Sequence, residues 1–576
     1  MAEIFIDNIR YEYEGNVKVL QFALDQGVEI PFFCYHPSMS IPANCRQCLV
    51  QVGTPVFNRE TNSFDLNDKG ERVIRYFPKL MTACSLDATD GMVVHTHATS
   101  ELVRRAQKDT LEFILINHPL DCPICDQAGE CPLQIQTYKY GPEGSRFEFK
   151  KVHKPKRIQL GPRVVLDAER CINCTRCVRF TEEISKTHQL TIVSRGDKNY
   201  PMTAPGREFD DAYSLNTVDI CPVGALTAAD FRFRARVWEM NQTPSIDITG
   251  GKGTNVDLWV RNNLVLRITP RFHKDVNDHW MPDAARLAYK SFNENRVSRP
   301  HMMIDGKSVL TSWTNAVETV LEKVQAAGVQ NVVVVGSAHA SIEDNFALDK
   351  LFTNLGHSGA VFVPDVKAGA GDNFLLTDDQ APNTNGCRLL GLDEVSADTL
   401  SKAVGSAKVV IILQDDLVGR GVLSAASLKG AYTVSLATNF NETTAASDMV
   451  IPITCVAEHA ASYVSVDGRI QRSLPAKETI YTSRTTNMEM SVGRLDRFGT
   501  KFDNWVSDQN RVDCKPAWEI MADLGNRFGF SLDFASSRVL FEHIAEQVPA
   551  LGGVNYDRMD AEQGVVIDTN SVKTTA

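Results

Sequence analysis

The sequence predicts a multidomain protein in which a cysteine-rich α+β part precedes a longer α/β part. Three observations support this fold class. The chain of 576 residues is too long for one ordinary core, and 43% of its residues are hydrophobic, which is enough to bury several. Eleven of the 14 cysteines lie between Cys34 and Cys221. After about residue 300, short apolar strands alternate with helical patterns.

The opening pattern predicts strands at residues 3–6 and 10–13, followed by a helix at 17–26. A hairpin followed by a helix indicates a β-grasp domain. Apolar residues at helical spacing predict a second helix at 101–116, which leads directly into a cysteine cluster. A short strand at 164–166 precedes the next cysteines and favours a compact ferredoxin-like unit.

The second half of the chain has the pattern of a parallel sheet covered by helices on both faces. The final segment, residues 552–576, has no helical or strand period, and we expect a loosely packed tail there. The predicted strands are 332–335, 360–363, 409–413 and 432–436, and the predicted helices are about 313–327 and 342–355.

Composition limits the classes of partner. The formal charge of −11, the pI near 5.7 and the lack of a Lys/Arg-rich stripe argue against nucleic acid and anionic membranes. No run of eighteen apolar residues is present, and the first ten residues alternate apolar and polar side chains, so we expect neither export nor a membrane span.

Closely spaced cysteines of a cytosolic protein usually hold metal, which makes disulfides the weaker interpretation.

The first cysteine group is Cys34, Cys45, Cys48 and Cys84. Two irons need four thiolates, and a loop carrying several of them beside one distant cysteine is the plant-type ferredoxin arrangement. Zinc also uses four thiolates, so the spacing alone leaves zinc open. Cys84 follows Cys48 after a gap of 35 residues, which is longer than the resemblance described below implies. The extra residues, about 53–80, have N-D-K-G at their centre, and this pattern predicts an inserted hairpin.

The second group comes from H-P-L-D-C-P-I-C-D-Q-A-G-E-C and comprises His118, Cys122, Cys125 and Cys131. A lone histidine beside cysteines is usually a solvated neighbour, but four candidate ligands within fourteen residues favour a metal site. A neutral imidazole in place of an anionic thiolate makes a cluster less negative and easier to reduce.

The third group is C-I-N-C-T-R-C, which supplies Cys171, Cys174 and Cys177, with the remote Cys221 before a proline. This is the bacterial ferredoxin arrangement, and it provides ligands for one cubane only. Zinc is a weaker alternative here. The remaining cysteines have no partners at ligand spacing, which favours core packing or simple surface placement; they are Cys387, Cys455 and Cys514.

The motifs I-P-F-F-C-Y-H-P and N-C-R-Q-C-L-V resemble the 2Fe-2S domain of the 75 kDa iron-sulfur subunit family (the G subunit) of respiratory NADH-quinone oxidoreductase (complex I) and of its diaphorase and hydrogenase relatives. The histidine followed by three cysteines is similar to a 4Fe-4S motif of the same family. The resemblance implies one 2Fe-2S cluster on the first group and one 4Fe-4S cluster on each of the other two, and it favours iron over zinc.

From about Pro244 the chain resembles the molybdopterin oxidoreductase superfamily, whose members often begin with a cubane site. Asp247, Gly250 and Thr254 stand where its cysteines would be, and glycine and threonine cannot replace soft thiolate ligands. We therefore expect neither a further cluster nor molybdenum in the second half, and no convincing flavin site appears.

These expectations divide the chain into five domains. They are a 2Fe-2S β-grasp domain at 1–98, a 4Fe-4S domain with one histidine and three cysteine ligands at 99–150, a ferredoxin-like 4Fe-4S domain at 151–236, a degenerate, cysteine-free molybdopterin oxidoreductase 4Fe-4S domain at 237–300, and a molybdopterin oxidoreductase-like α/β domain at 301–576.

The resemblance implies an electron-transfer subunit in the peripheral arm of proton-translocating complex I, on the cytoplasmic side of the inner (plasma) membrane. Such a subunit relays electrons from the NADH-oxidising flavin subunit towards quinone through other iron-sulfur subunits and has no catalytic site of its own. Two alternatives are an electron-transfer subunit of an NAD-linked formate dehydrogenase or hydrogenase, and a zinc-binding scaffold. The first would need catalytic-domain cysteines, and none cluster after Cys221.

Overall fold

A computed structural model describes residues 2–304, 306–481, 510–532 and 534–568. The chain forms two compact units, Met1–Glu239 and Met240–Ala576. Within the described ranges, no helix combines the length and the apolar character that crossing a membrane requires. The division of these two units into five smaller domains stays a prediction.

The first domain of unit 1 has the predicted β-grasp arrangement. Strands β1 and β2 form an antiparallel hairpin, β1 pairs in parallel with β8, and helix α1 buries Val19, Leu20 and Phe22 against the sheet. Gly27 follows the end of the helix with a φ of +74°, a backbone conformation that is unfavourable for residues with a side chain. The elements are β1 (Ala2–Ile6), β2 (Ile9–Tyr13), α1 (Val19–Asp25), β3 (Leu49–Pro55), β4 (Phe57–Asn58), β5 (Ser63–Phe64), β6 (Ile74–Tyr76), β7 (Met81–Thr82) and β8 (Met92–His95).

The insert between Cys48 and Cys84 is a long hairpin that leaves the sheet after β3 and pairs back on it, as predicted. The far half of β3 pairs with β6, and the near half pairs with β7, so the chain returns beside its starting point. The N-D-K-G segment is a turn in which Gly70 N donates to Asn67 O at 2.9 Å. The insert therefore lengthens the sheet without separating the two cysteines.

The remainder of unit 1 consists of short elements joined by long loops. Ser100 caps the second helix by accepting from Val103 N, which explains why the helix begins at Glu101. The elements are α2 (Glu101–Leu115), α3 (Pro132–Tyr140), β9 (Ile158–Gln159), β10 (Val164–Leu166), α4 (Arg176–Arg179), β11 (Thr191–Val193), β12 (Tyr200–Met202), α5 (Asn216–Asp219) and β13 (Leu226–Ala228).

Unit 2 begins with a three-stranded antiparallel sheet and two short helices and continues into the α/β body. Its elements are β14 (Asn241–Ile246), β15 (Asn255–Arg261), β16 (Leu264–Pro270), α6 (Asp283–Leu287), α7 (Tyr289–Asn293), β17 (His301–Ile304), β18 (Lys307–Leu310), α8 (Trp313–Ala327), β19 (Val332–Val335), α9 (Ile342–Asn354), β20 (Val361–Phe362), α10 (Thr384–Leu389), β21 (Asp393–Glu394), α11 (Ala397–Ser406), β22 (Val409–Leu413), α12 (Ala425–Leu428), β23 (Tyr432–Ala437), α13 (Glu442–Ala445), β24 (Met449–Pro452), β25 (Ala461–Val464), β26 (Arg469–Ser473), α14 (Ala517–Phe528), α15 (Ser537–Gln547), α16 (Tyr556–Ala561) and β27 (Val565–Val566).

The main sheet of unit 2 has eight strands in the order β18-β17-β24-β23-β22-β19-β20-β21. Its strands from β19 to β24 pair in parallel, as predicted. Every residue of β22 is buried: Ile411 packs with α8 and α9 on one face, and Ile412 packs with α11 on the other. Helices therefore cover both faces, which explains the unbroken apolar run.

Two features of unit 2 differ from expectation. An antiparallel hairpin, β17–β18, extends one edge of the sheet. The prediction of a loosely packed tail is wrong for its first part, which contains α16 and β27. Tyr556 is only 1% exposed, and Val565 pairs with Ile470. Tertiary packing outweighs the polar composition there. The remainder of the predicted tail, 569–576, lies outside the described residues.

Candidate metal centres

The first candidate group lies where the loop after α1 meets β3 and β7. Cys34 is in that loop, Cys48 immediately precedes β3, and Cys84 follows β7. The antiparallel register of β3 and β7 brings Cys84 back to Cys48 despite the insert. The thiol of Cys45 lies beside that of Cys34, and the thiol of Cys48 lies beside that of Cys84. The four predicted residues thus form two neighbouring thiol pairs.

The loop of the first group carries N–H groups that can donate hydrogen bonds to sulfur. The neighbouring Cys45 thiol lowers the pKa of the Cys34 thiol to about 6 against the opposing effect of burial, and the backbone N–H groups of Asn44 and Cys45 lower it further. Gln47, one of the two residues between Cys45 and Cys48, is fully buried, and neither polar atom of its side-chain amide has a hydrogen-bond partner. An inorganic sulfide would offer the amide N–H an acceptor, so the loop fits an iron-sulfur cluster.

The second candidate group surrounds the turn between α2 and α3. Cys122 begins a short 3-10 turn, Cys125 ends it, and Cys131 is the residue before α3. Cys125 and Cys131 are buried, whereas Cys122 is exposed. The pKa of the Cys131 thiol is raised to about 11, mainly by burial and in part by the nearby thiols of Cys125 and Cys122. The structure thus brings the three cysteines together.

His118 lies at the end of the segment that follows α2. Its Nδ1 atom is buried and has no hydrogen-bond partner. Burial lowers its pKa to about 4, and the positive charges of Arg170 and Lys151 contribute. The imidazole is therefore neutral at physiological pH, which is the form that ligates metal. A half-buried, neutral ring whose buried nitrogen is unused is chemically suited to iron.

The third candidate group lines a small enclosed cavity. All four predicted cysteines, Cys171, Cys174, Cys177 and Cys221, line it together with apolar side chains. Asn173 and Thr175 adopt positive φ angles of +54° and +62°, which curl the loop around the cavity. Burial raises the pKa of Cys171 to about 12 and of Cys174 to about 11, so these thiols are protonated until a metal displaces the proton.

Two arginines beside Cys177 connect the third group to the first. Arg179 donates from Nη1 to Ser40 O at 2.5 Å and from Nη2 to Cys34 O. Arg176 donates from Nη2 to Tyr35 O. The helix that carries Cys177 is thereby attached to the loop that carries Cys34. These arginines were not predicted from the sequence, although they flank the motif cysteine directly in R-C-V-R.

The segment after Cys221 contacts the second group. Cys131 Sγ lies 3.7 Å from Pro222 O. Arg170 Nη1 lies 3.5 Å from Gly224 O, and its Nη2 lies 3.0 Å from Asp121, the residue before Cys122. The third group therefore contacts both of the others through residues that flank its own cysteines.

Among the described residues, no three or more His, Cys, Asp or Glu side chains converge closely enough to enclose a single metal ion. The ligands of a cluster are shared among two or four irons, so they need not converge on one point.

The cysteine-free start of unit 2 offers no soft ligand at the three positions identified from the sequence. Asp247 is buried, which raises its pKa to about 6, and its Oδ1 accepts from Thr249 N and Oγ1 at 2.8 Å. Thr254 is fully buried with an unpartnered hydroxyl. The three isolated cysteines, Cys387, Cys455 and Cys514, are buried in unit 2, in agreement with core packing.

Four family models match the chain. A 2Fe-2S iron-sulfur cluster binding domain matches residues 1–99. The NADH-ubiquinone oxidoreductase-G iron-sulfur binding region matches 107–146, and the ferredoxin-like domain of NADH-quinone oxidoreductase subunit 3 matches 161–227. An NADH-ubiquinone oxidoreductase NDSU1/NuoG-like 4Fe-4S domain matches 240–290, a segment that contains no cysteine in this chain.

Curated relatives agree with these matches. The NADH-quinone oxidoreductase G subunit of Rickettsia conorii is 35% identical over 357 residues, which cover 62% of this chain and 49% of that protein. The NADH-ubiquinone oxidoreductase 75 kDa subunit of Reclinomonas americana is 37% identical over 361 residues, covering 62% and 48%. The chain thus spans about half the length of the curated relatives it matches. A solved chain of an NAD+-reducing [NiFe]-hydrogenase is 27% identical, with 41% and 91% coverage, but its TM-score of 0.33 supports no fold assignment.

The matched domains define the class of the protein, which is an iron-sulfur protein with 2Fe-2S and 4Fe-4S domains in a mixed α/β framework. Within this class, the resemblance to the 75 kDa (G) subunit family of NADH-quinone oxidoreductase, predicted from the cysteine motifs, is confirmed.

Proposed function

We propose that this chain is an electron-transfer subunit of an NADH-quinone oxidoreductase and holds three iron-sulfur clusters in unit 1. The observation that carries this proposal is the third group, whose four cysteines line one enclosed cavity and whose flanking residues contact both other groups. A scaffold that binds metals separately would not need such contacts. A relay needs its centres held at fixed, short separations.

The proposed ligands follow the three groups. A 2Fe-2S cluster is held by Cys34, Cys45, Cys48 and Cys84, one 4Fe-4S cluster by His118, Cys122, Cys125 and Cys131, and a second 4Fe-4S cluster by Cys171, Cys174, Cys177 and Cys221.

When bound, the clusters supply one-electron transfer, and the chain sets where that transfer happens and at what potential. The cavity around the third group is lined mainly by cysteines and apolar side chains, and the neutral imidazole of His118 makes the net charge at the second group less negative. We infer no general base, no nucleophile and no separate catalytic residue in this chain.

The contacts support a relay in which the third group stands between the other two. Arg179 links it to Cys34 of the first group, and Pro222 links it to Cys131 of the second. Electrons would therefore pass from the first group to the third and then to the second, or in reverse, although the second group precedes the third in the sequence.

In this proposal the partners are other peripheral-arm subunits of complex I. The flavin subunit that oxidises NADH supplies the electrons, and quinone-side iron-sulfur subunits accept them, on the cytoplasmic side of the inner (plasma) membrane. Purification of the native assembly should recover the chain with both kinds of subunit. Recovery with the catalytic subunit of a formate dehydrogenase or hydrogenase instead would contradict the proposal.

Metal analysis is the direct test of the three clusters. Anaerobically prepared protein should contain about ten irons per chain, which is the total for one two-iron and two four-iron clusters. Stoichiometric zinc in place of iron would refute the iron-sulfur assignment, and about fourteen irons would reveal a further cubane. We also propose that unit 2 binds neither molybdenum nor flavin, so stoichiometric amounts of either would contradict that part.

The ligand role of His118 has a separate test. In His118→Cys, a cubane should still form, but its midpoint potential should fall because an anionic ligand replaces a neutral one. A redox titration followed by EPR measures the shift. His153→Cys is the matched control, since the His153 side chain is 84% exposed, and it should leave all potentials unchanged. An unchanged titration in His118→Cys would show that His118 is not a ligand.

A further inference from the structure

The loop that follows Cys221 approaches the second group more closely than any side chain would allow. A Cβ atom built on Gly224 would overlap Cys125 Sγ, well inside the 3.0 Å that real Cβ atoms keep, and would also lie 3.2 Å from the Cβ of Gln127. The same loop contributes Pro222 O, which lies 3.7 Å from Cys131 Sγ. Two sulfurs of the second group thus contact a segment that belongs to the third.

Space, and not backbone conformation, makes glycine necessary at position 224. Gly224 is absent from the residues with positive φ, so an L-residue could adopt its backbone angles. The atom that a methyl group would meet is the sulfur of a short side chain with a single rotatable bond to its backbone. If that sulfur is held by iron, it cannot rotate away, and either the cysteine backbone or the loop must shift.

We propose that Gly224 is a positioning residue for the second cluster, although it lies in the segment that provides the fourth ligand of the third. This inference rests on the proposed function. The absence of a side chain at 224 lets the Cys221 loop lie directly against Cys125 Sγ. The loop fixes where that sulfur lies and, in the same contact, holds the two cubane sites adjacent.

The test is Gly224→Ala in the full-length chain, prepared anaerobically with its clusters. The second cluster should show a shifted midpoint potential and altered EPR g-values, or a loss of up to about four of the ten irons. The signal of the 2Fe-2S cluster should be unchanged. Gly144→Ala is the matched control, because Gly144 also lies in unit 1, has no positive φ and has no atom within 4 Å of an added Cβ.

Three outcomes are distinguishable. Potentials and g-values identical to those of the unaltered chain would overturn the role of Gly224. Absence of iron from the unaltered chain would refute the proposed function instead. If Gly224→Ala binds no cluster at all, metal-free protein decides: Gly224→Ala should lower the melting temperature more with Cys125 present than in a Cys125→Ala background, because even a free Cys125 side chain must leave its rotamer to admit the methyl group. Equal decreases in the two backgrounds would show that the methyl group does not meet Cys125.

Discussion

Replacement of Cys221 by alanine is expected to abolish the low-temperature EPR signal of one cubane and to lower the iron content from about ten towards about six per chain. The third group would keep three cysteines in its enclosed cavity, and no other soft ligand lines that cavity. The 2Fe-2S signal should persist, because the Arg179 contact with Cys34 does not involve Cys221.

The control for this variant is Cys387→Ala, which makes the same change at a buried cysteine of unit 2. It should retain about ten irons and all three signals. If Cys221→Ala also retained them, the fourth ligand of the third cluster would have to be a different residue.

The second large effect concerns stability. Arg296→Met should lower the free energy of unfolding by about 3–5 kcal/mol, because it leaves Glu458 buried without its main partner. The two side chains form a bidentate pair at 2.8 and 2.7 Å, and they are 4% and 0% exposed. Lys477 Nζ lies 3.9 Å from the same carboxylate and compensates only in part. Urea unfolding of the full chain measures the change.

The matched control is Arg388→Met, which breaks the exposed pair of Arg388 and Glu394 and should cost less than about 1 kcal/mol. The pH dependence gives a further check. Burial opposes ionisation of Glu458, but Arg296 holds its pKa below the ordinary value, so the stabilisation is present above the unfolded pKa and is lost as the pH falls. The difference in free energy of unfolding between Arg296→Met and the unaltered chain should therefore become smaller at acid pH. A deficit equal to that of the control would contradict a dominant role for this pair.

The sequence predicted those parts of the fold whose signals are local. The apolar run of β22 and the periodicity of α8 gave their bounds without error, because burial on both faces of a sheet and on one face of a helix leaves a direct pattern. Edge hairpin β17–β18 and helix α16 were missed, since the hairpin forms beside the distant strand β24 and Tyr556 of the helix donates a hydrogen bond to the distant Glu343.

The candidate sites divide in the same way. His118 and its three cysteines fall within fourteen residues and are visible as a motif. By contrast, Arg179 and Cys34 are 145 positions apart, and Gly224 and Cys125 are also far apart in the sequence. No spacing rule links residues that the fold alone brings together, so the contacts between the groups could be found only in the structure.

The long separation within the third group also has a consequence for synthesis of the chain. Roughly forty residues lie between Cys177 and Cys221. At a translation rate of about 5–20 residues per second, three thiols of that site wait about 2–8 seconds for the fourth. During that interval the nascent chain offers an open, reactive tri-cysteine loop, so delivery of iron to it is best timed after Cys221 has left the ribosome.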